Sequence, residues 1–323
     1  MSDTPSAAAR LSELIGRTGL AEPFSASGGE LFCQGDTADC MLVIDEGEVE
    51  IVARTPGDET VALARLSGQA VLGELSLIDS GLRSASARAL QPTSGWRLAR
   101  DAFAMLRASR SEISTAILAQ LAALTCERIR ARVADLVAAL DSADVPRFDY
   151  RPVVERVRWR AQPAPQLERS TAELLPLFRA LGDPRRYRAL LDASTLYAVE
   201  RGERLAVAGE QPDGAALVVL RGAVVVSIER DGRRERCGLM PPGRLLSAVA
   251  LHDGGPHALD AAAREPAELL CIEPEALERL RADPVLGYAL DDALIRELTY
   301  ELRLVSAQLS RLAAHGRVAV AGA

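Results

Sequence analysis

Short alternations of apolar and polar residues, broken by glycine, mark two stretches of this chain. Val43-Ile44-Asp45-Glu46 leads through Gly47 into Glu48-Val49-Glu50-Ile51. Alternation of this length predicts half-buried strands, and the glycine between them predicts a tight turn. Leu217-Val218-Val219-Leu220-Arg221, Gly222 and Ala223-Val224-Val225-Val226 repeat the pattern. The punctuation repeats as well. Gly28-Gly29-Glu30-Leu31 and Gly35-Asp36 return as Gly202-Glu203-Arg204-Leu205 and Gly209-Glu210, and Gly68 returns as Gly243. Thr55-Pro56-Gly57-Asp58 and Arg230-Asp231-Gly232-Arg233 occupy matching places and predict hairpin turns, Asp-Gly the more strongly. The chain therefore holds two copies of one unit, roughly 170 residues apart in register. Short strands between Gly and Pro turns predict a jelly-roll-like sandwich for each.

Helical periodicity brackets both copies. Ser109-x-x-Glu112 reads as a capping box opening a helix whose apolar residues are Ile113, Ile117, Leu121, Leu124, Ile129, Val133, Leu136 and Leu140. The stripe slips at Arg128, which predicts a bend or a change of packing partner there. Asp183-Pro184 reads as an N-cap with proline in the first turn, opening a helix to Asp192. Asp283-Pro284 opens another, with a cleaner stripe of Leu290, Leu294, Leu298, Leu302, Val305, Leu309 and Leu312. The fold class is mainly β with helices: two jelly-roll-like β-rolls, each flanked by helices, including a long C-terminal helix. The boundaries follow: 1–140 for the first domain with its long helix, 141–170 for a Pro/Arg-rich linker, 171–315 for the second domain, and 316–323 for a tail. The basic segment Arg151 to Arg160 reads as solvated linker, with an extended strand or a partner-docking strip as the alternatives.

Composition narrows the function. All 38 basic residues are arginine, and the net charge of -7 disfavours a broad electrostatic footprint for nucleic acid. The polar start carries no signal-peptide pattern, and no apolar run approaches the ~20 residues needed to span a bilayer. Cys33, Cys40, Cys126, Cys237 and Cys271 form neither a CxxC pair nor a disulfide ladder. A reducing cytoplasm fits this usage. The three histidines, His252, His257 and His315, make no HxH or HExxH motif, so neither a metal site nor a metal-dependent enzyme is expected. No GxSxG motif or nucleophile–base pair stands out.

The candidate chemistry lies in Gly73-Glu74-Leu75-Ser76-Leu77-Ile78, Asp79-Ser80-Gly81-Leu82 and Arg83-Ser84-Ala85. A carboxylate opens a short helical turn, and nine residues later an arginine precedes two small residues. Backbone N–H groups at a helix start favour an anion, and a guanidinium adds charge-assisted hydrogen bonds to phosphate. The carboxylate can accept from a sugar hydroxyl. Together these groups suit a cyclic phosphate on a ribose. The plainer alternative is a solvated surface ion pair between Glu74 and Arg83.

This stretch, with the glycine punctuation before it, resembles the phosphate-binding cassette of the cyclic nucleotide-binding domain family, found in catabolite activator proteins and kinase regulatory subunits. The resemblance implies that Glu74 holds the ribose 2′-hydroxyl and that Arg83 and Ser84 hold the cyclic phosphate of cAMP or cGMP. Gly73, Leu75, Ser76 and Ala85 complete the cassette. It also implies that the following helix closes over the purine, making Thr125 and Cys126 candidates for the base edge, with helix packing as the alternative. In the second copy Ala248 falls at the place of Glu74, His257 at that of Arg83 and Ala258 at that of Ser84. That cassette is read as inactive. The long helices resemble the family's dimer-forming helix. A homodimer through the cleaner second stripe is expected, or else an intramolecular pseudo-dimer. Only a short tail follows Leu312, so no DNA-binding helix-turn-helix is expected. The output is then a partner protein, and the rival reading is a scaffold that binds no ligand.

Overall fold

The computed structural model describes residues 6–54, 60–79, 81–142, 160–162, 175–230 and 233–314. The turns at 55–58 and 231–232, most of the linker and the tail lie outside the described residues. The chain divides into two compact units, residues 1–127 with 309–323, and residues 128–308.

The first unit opens with helix α1 (Ala7–Arg17), capped by the Ser6 hydroxyl accepting from the Ala9 N–H. Two antiparallel four-stranded sheets follow. One has the order β1 (Glu22–Ala26), β8 (Thr93–Ala99), β3 (Cys40–Glu46), β6 (Ala70–Leu72). The other runs β2 (Gly29–Phe32), β7 (Ser86–Ala89), β4 (Glu48–Arg54), β5 (Thr60–Ser67). Cys40, Leu42, Ile44, Val49, Ala70, Leu72 and Ala87 form its core, with Phe32, Ile51 and Leu66 packed against them. Helix α2 (Glu74–Ile78) interrupts the strands after β6. Helices α3 (Arg100–Ser109) and α4 (Glu112–Ser142) complete the run.

The second unit repeats this plan. Helices α5 (Pro176–Leu181) and α6 (Pro184–Asp192) precede its strands. One sheet has the order β15 (Leu245–Leu246), β12 (Ala216–Arg221), β17 (Ala267–Ile272), β10 (Ser194–Val199), β9 (Arg160–Gln162). The other runs β11 (Arg204–Ala206), β16 (Asp260–Ala263), β13 (Val224–Arg230), β14 (Arg233–Met240). Helix α7 (Ala248–Asp253) stands where α2 stands in the first unit. Helices α8 (Pro274–Ala282) and α9 (Pro284–Ala314) close the chain. Two β-roll domains with helices, the last of them long, are thus the fold. Strands β4 and β5 pair as far as Arg54 and Thr60, and β13 and β14 as far as Arg230 and Arg233, the hairpins that the turn residues foretell.

Asp183 and Asp283 cap as read, accepting from the N–H groups of Arg185, and of Val285 and Leu286. Three readings change. Ser109 does not cap α4. It ends α3, donating to the Leu106 carbonyl, while the Ser111 hydroxyl accepts from Ser114 N–H. Within the stretch read as linker, residues 160–162 pair with Leu196, Tyr197 and Ala198 as an edge strand. The compact units also end elsewhere than the boundaries read from sequence. The division of α4 falls between Glu127 and Arg128, where its apolar stripe slips.

The stripe on α9 is already covered. Leu290, Leu294, Leu298, Leu302 and Val305 are each at most 8% exposed within one chain. Each such leucine contributes about 1.5–3 kcal/mol by leaving water. That removes the reason to expect a homodimer through this stripe. Sedimentation at micromolar concentration should return the mass of one chain. A dimer that dissociates on substitution of Leu298 would refute this.

Gly47 and Gly222 turn the two strand pairs at φ 121° and 78°. A Cβ on Gly47 would lie 2.4 Å from Thr93 Oγ1 and 2.7 Å from its Cα, whereas one on Gly19, φ 65°, meets nothing within 4 Å. Gly47→Ala should therefore cost about 2–4 kcal/mol, combining overlap with backbone strain, against about 1 kcal/mol for Gly19→Ala. Thermal unfolding of the two variants checks this, and equal losses would contradict it.

Candidate functional site

Strand β6 delivers the chain, fully buried, to Gly73. Gly73 has φ 76°, and its carbonyl accepts from Arg83 Nη1 at 3.0 Å. A Cβ there would sit 2.1 Å from that same nitrogen. Glycine is required on two counts, the left-handed backbone and the room for the guanidinium. Helix α2 follows, with Glu74 only 3% exposed. The Ser76 hydroxyl donates to the Leu82 carbonyl at 2.9 Å, and Asp79 Oδ1 accepts from Gly81 N–H at 2.9 Å. These bonds fold the loop back on its helix. The Arg83 backbone is then pinned from both sides. Its N–H donates to Asp36 O at 2.9 Å, and its carbonyl accepts from Gly35 N–H at 3.0 Å. This is the use of the Gly35-Asp36 punctuation.

The Arg83 side chain is 1% exposed and points into the roll. Its Nη2 donates to Asp39 Oδ1 at 3.0 Å and contacts Cys40 Sγ at 3.7 Å. Its guanidinium carbon lies 4.2 Å from the centre of the Phe32 ring, a cation–π arrangement. Its Nε has no hydrogen-bond partner among the described residues. Asp39 is shared with a second arginine, since Arg97 Nη2 donates to its Oδ2 at 2.9 Å. Burial works to raise the Asp39 carboxyl. The hydrogen bond from Arg97, with those from Cys40 and its own backbone and the charge of Arg83, outweighs burial and holds it below 3.8. Burial first, then the charge of Asp39, pushes the Cys40 thiol up.

Gly73, Glu74, Ser76 and Arg83 are thus drawn into one buried turn, with Leu75 and Ala85 half-buried and Ser84 exposed. Glu74 and Arg83 do not form a solvated surface ion pair; both residues are buried, and Arg83 pairs with Asp39. Thr125 on α4 is 1% exposed, and its hydroxyl donates to the Leu121 carbonyl at 2.7 Å. Cys126 is buried beside it. The sequence reading missed Phe32, Asp39 and Arg97. Asp39 carried a weak signal, as an acid placed directly before the fully buried start of β3.

The second cassette keeps the backbone and loses the charges. His257 N–H donates to Glu210 O at 2.9 Å, and Gly209 N–H donates to His257 O at 2.9 Å. These reproduce the bonds that pin Arg83, so His257 does stand in its place. Asp213 stands where Asp39 does, and Cys271 where Arg97 does. Burial pushes the His257 imidazole down and the Cys271 thiol up to about 12. No cation therefore remains at either place near neutral pH. Ser247 replaces Gly73 at φ 55°. Its Cβ is tolerable because no guanidinium needs the space. At the far end of α7, Arg130 of α4 makes a fork to Asp253, with Nε 2.8 Å from Oδ2 and Nη2 2.9 Å from Oδ1, and donates to Pro256 O at 3.1 Å. Among the described residues no group of three or more His, Cys, Asp or Glu side chains is placed to hold a metal.

The chain is 33% identical over 119 residues to a CRP-like cAMP-activated global transcriptional regulator of Mycobacterium tuberculosis, covering 37% of this chain and 51% of that protein. It is 34% identical over 79 residues to the cyclic AMP receptor protein of Thermus thermophilus, covering 24% and 37%. The chain thus spans about half or less of the length of these curated relatives. Among solved structures, the regulatory domain of Toxoplasma gondii PKA with cAMP matches at 15% identity and TM-score 0.30, over 87% of this chain and 94% of that one. The family model for the cyclic nucleotide-binding domain matches residues 25–110 and 197–283, together more than half of the chain. The chain belongs to the cyclic nucleotide-binding domain family, with two copies of the domain.

Proposed function

We propose that this protein is a cyclic nucleotide sensor that binds one 3′,5′-cyclic nucleotide, cAMP in preference to cGMP, in its first roll and signals through a partner protein. The observation that carries the reading is the buried Arg83 guanidinium, held by Gly73 O and Asp39 with its Nε left over. In its cassette such a cation gives a cyclic phosphate a charge-assisted, desolvated contact. Glu74 would accept from the ribose 2′-hydroxyl, and Ser84, exposed at the rim, would donate to a phosphate oxygen. Thr125 keeps an acceptor lone pair for the base edge, since its proton is committed to Leu121. cAMP is favoured because the relatives of Mycobacterium tuberculosis and Thermus thermophilus are a cAMP-activated regulator and a cyclic AMP receptor protein.

The second roll, without a cation at His257 or a carboxylate at Ala248, is proposed not to take this ligand. Catalysis is no part of the reading, and neither is DNA binding. Among the described residues no helix is long and apolar enough to cross a membrane, and a cytoplasmic location is part of the proposal.

Titration calorimetry with cAMP should give one site per chain. Arg83→Ala should lose about 2–5 kcal/mol, a weakening of roughly thirtyfold or more. His257→Ala should leave the affinity unchanged. Two sites per chain would refute the inactive second roll, and no binding by wild type would favour the scaffold reading.

Hydrogen exchange tests the signal. Adding cAMP should change protection in 112–127 of α4 as well as in 73–85, because a ligand shifts a conformation only through differential contacts. A change confined to the cassette would make this chain a binder and not a switch.

A further inference from the structure

The second unit buries two carboxylates one helical turn apart on α9. Glu297 is 2% exposed and well held, accepting from Arg244 Nη1 at 3.0 Å and from Leu245 N–H at 3.2 Å. Arg244 itself lies over the Tyr300 ring, 3.7 Å from its centre. Glu301 is also 2% exposed, but less well provided for. It accepts from the Ala248 N–H at the start of α7, while its Oε2 has no partner among the described residues. Both carboxylates thus point at the segment that forms the second cassette, β15 and α7.

Two ionised carboxylates so close in a dry site repel each other, and one guanidinium at hydrogen-bond distance does not neutralise both. Among the described residues, the charges acting on Glu301 are those of Glu297 on its own helix and Arg130 on α4, with Arg244 and Tyr300 beside Glu297. Arg130 is largely spent on Asp253, to which it makes two hydrogen bonds. Burial, then the charge of Glu297, pushes Glu301 up to about 7 against the Ala248 amide and Arg130. Burial raises Glu297 as well, with Arg244 opposing.

We propose that Glu301 is a proton-operated latch between α9 and the second cassette: protonated, it stays seated beside Glu297 on the start of α7; ionised, it is driven toward water and loosens α9 from β15 and α7. The roll that has lost its ligand chemistry would thereby respond to a proton. The direction is fixed by linkage. A carboxyl raised in the closed state contributes stability that is fully present below its ordinary value of 4.5 and is lost as pH rises through about 7.

Hydrogen exchange on the full chain, corrected for the intrinsic pH dependence of exchange, tests this. Opening of 284–308 and 245–253 should increase by up to about tenfold per pH unit between 4.5 and about 7 and level off above. Glu301→Gln, which fixes the neutral form, should remove that slope. His252, His257, Asp260 and Asp291 of the same unit are also shifted by burial, so the difference between variant and wild type is the quantity read. An equal slope in both proteins overturns the latch. Should Glu301→Gln fail to fold, carbon-13 titration of the Glu301 carboxyl in wild type decides. A midpoint near 7 supports the latch, and one near 4.5 overturns it.

Discussion

Placing the Arg83 cation inside the first roll is the constraint on which its site depends. An unpaired buried charge costs several kcal/mol, and the attraction of one partner does not offset that without further hydrogen bonds. The roll answers with several groups at once. Gly73 gives a carbonyl and withholds a Cβ, Phe32 gives a ring face, and Asp39 gives a carboxylate that Arg97 holds in turn. Remove the guanidinium and the reasons for the other residues lapse together. The second roll displays this result. It has Ser247 for Gly73, His257 for Arg83 and Cys271 for Arg97, while Asp213 keeps its carboxylate exposed and turned to the N–H of Ala215.

How much of this could be read from the chain follows the range of each interaction. The repeat was legible because glycine at Gly47 and Gly222 answers a local backbone demand, which leaves a local mark. Asp183 and Asp283 were legible for the same reason, since a cap is satisfied within three residues. Asp39 was not, because its partners Arg83 and Arg97 are 44 and 58 residues away. Ser109 and Ser111 differ only in which helix end each serves, and that turned on α3, a helix the apolar pattern did not announce. The pairing of residues 160–162 with β10 joins segments more than 30 residues apart and leaves no periodicity in three residues. The depth of Glu74 and Arg83 was not legible either: a carboxylate and a guanidinium look the same in sequence whether solvated or buried.

The α9 stripe shows a different limit of the pattern. A long, regular run of leucines satisfies the pattern for self-association and the pattern for lying on one's own domain equally well. Periodicity reports that a face is covered, not what covers it. Here Leu290 through Val305 are covered within the chain, and the same helix carries Glu297 and Glu301 into the interior. Apolar burial seats the helix and the carboxylates work against it. A helix seated only by leucines would be more firmly held, but indifferent to any proton.

The two rolls therefore apply one physical rule with opposite signs. In the first, a buried cation is supplied with a carboxylate that is itself 66% exposed on its side chain and shared with Arg97. Such a partner can share the guanidinium with another anion, because Asp39 stays paired with Arg97. On the reading proposed above, a cyclic phosphate meets a guanidinium that is already desolvated and oriented. The cost of ordering that side chain falls on folding and not on binding, which is how preorganisation raises affinity. In the second roll the buried groups are carboxyls, no arginine stands at His257, and the partner of α7 is Glu301 from the last helix. On the same reading, a cyclic phosphate brought there would meet no guanidinium, only a histidine whose imidazole burial pushes down.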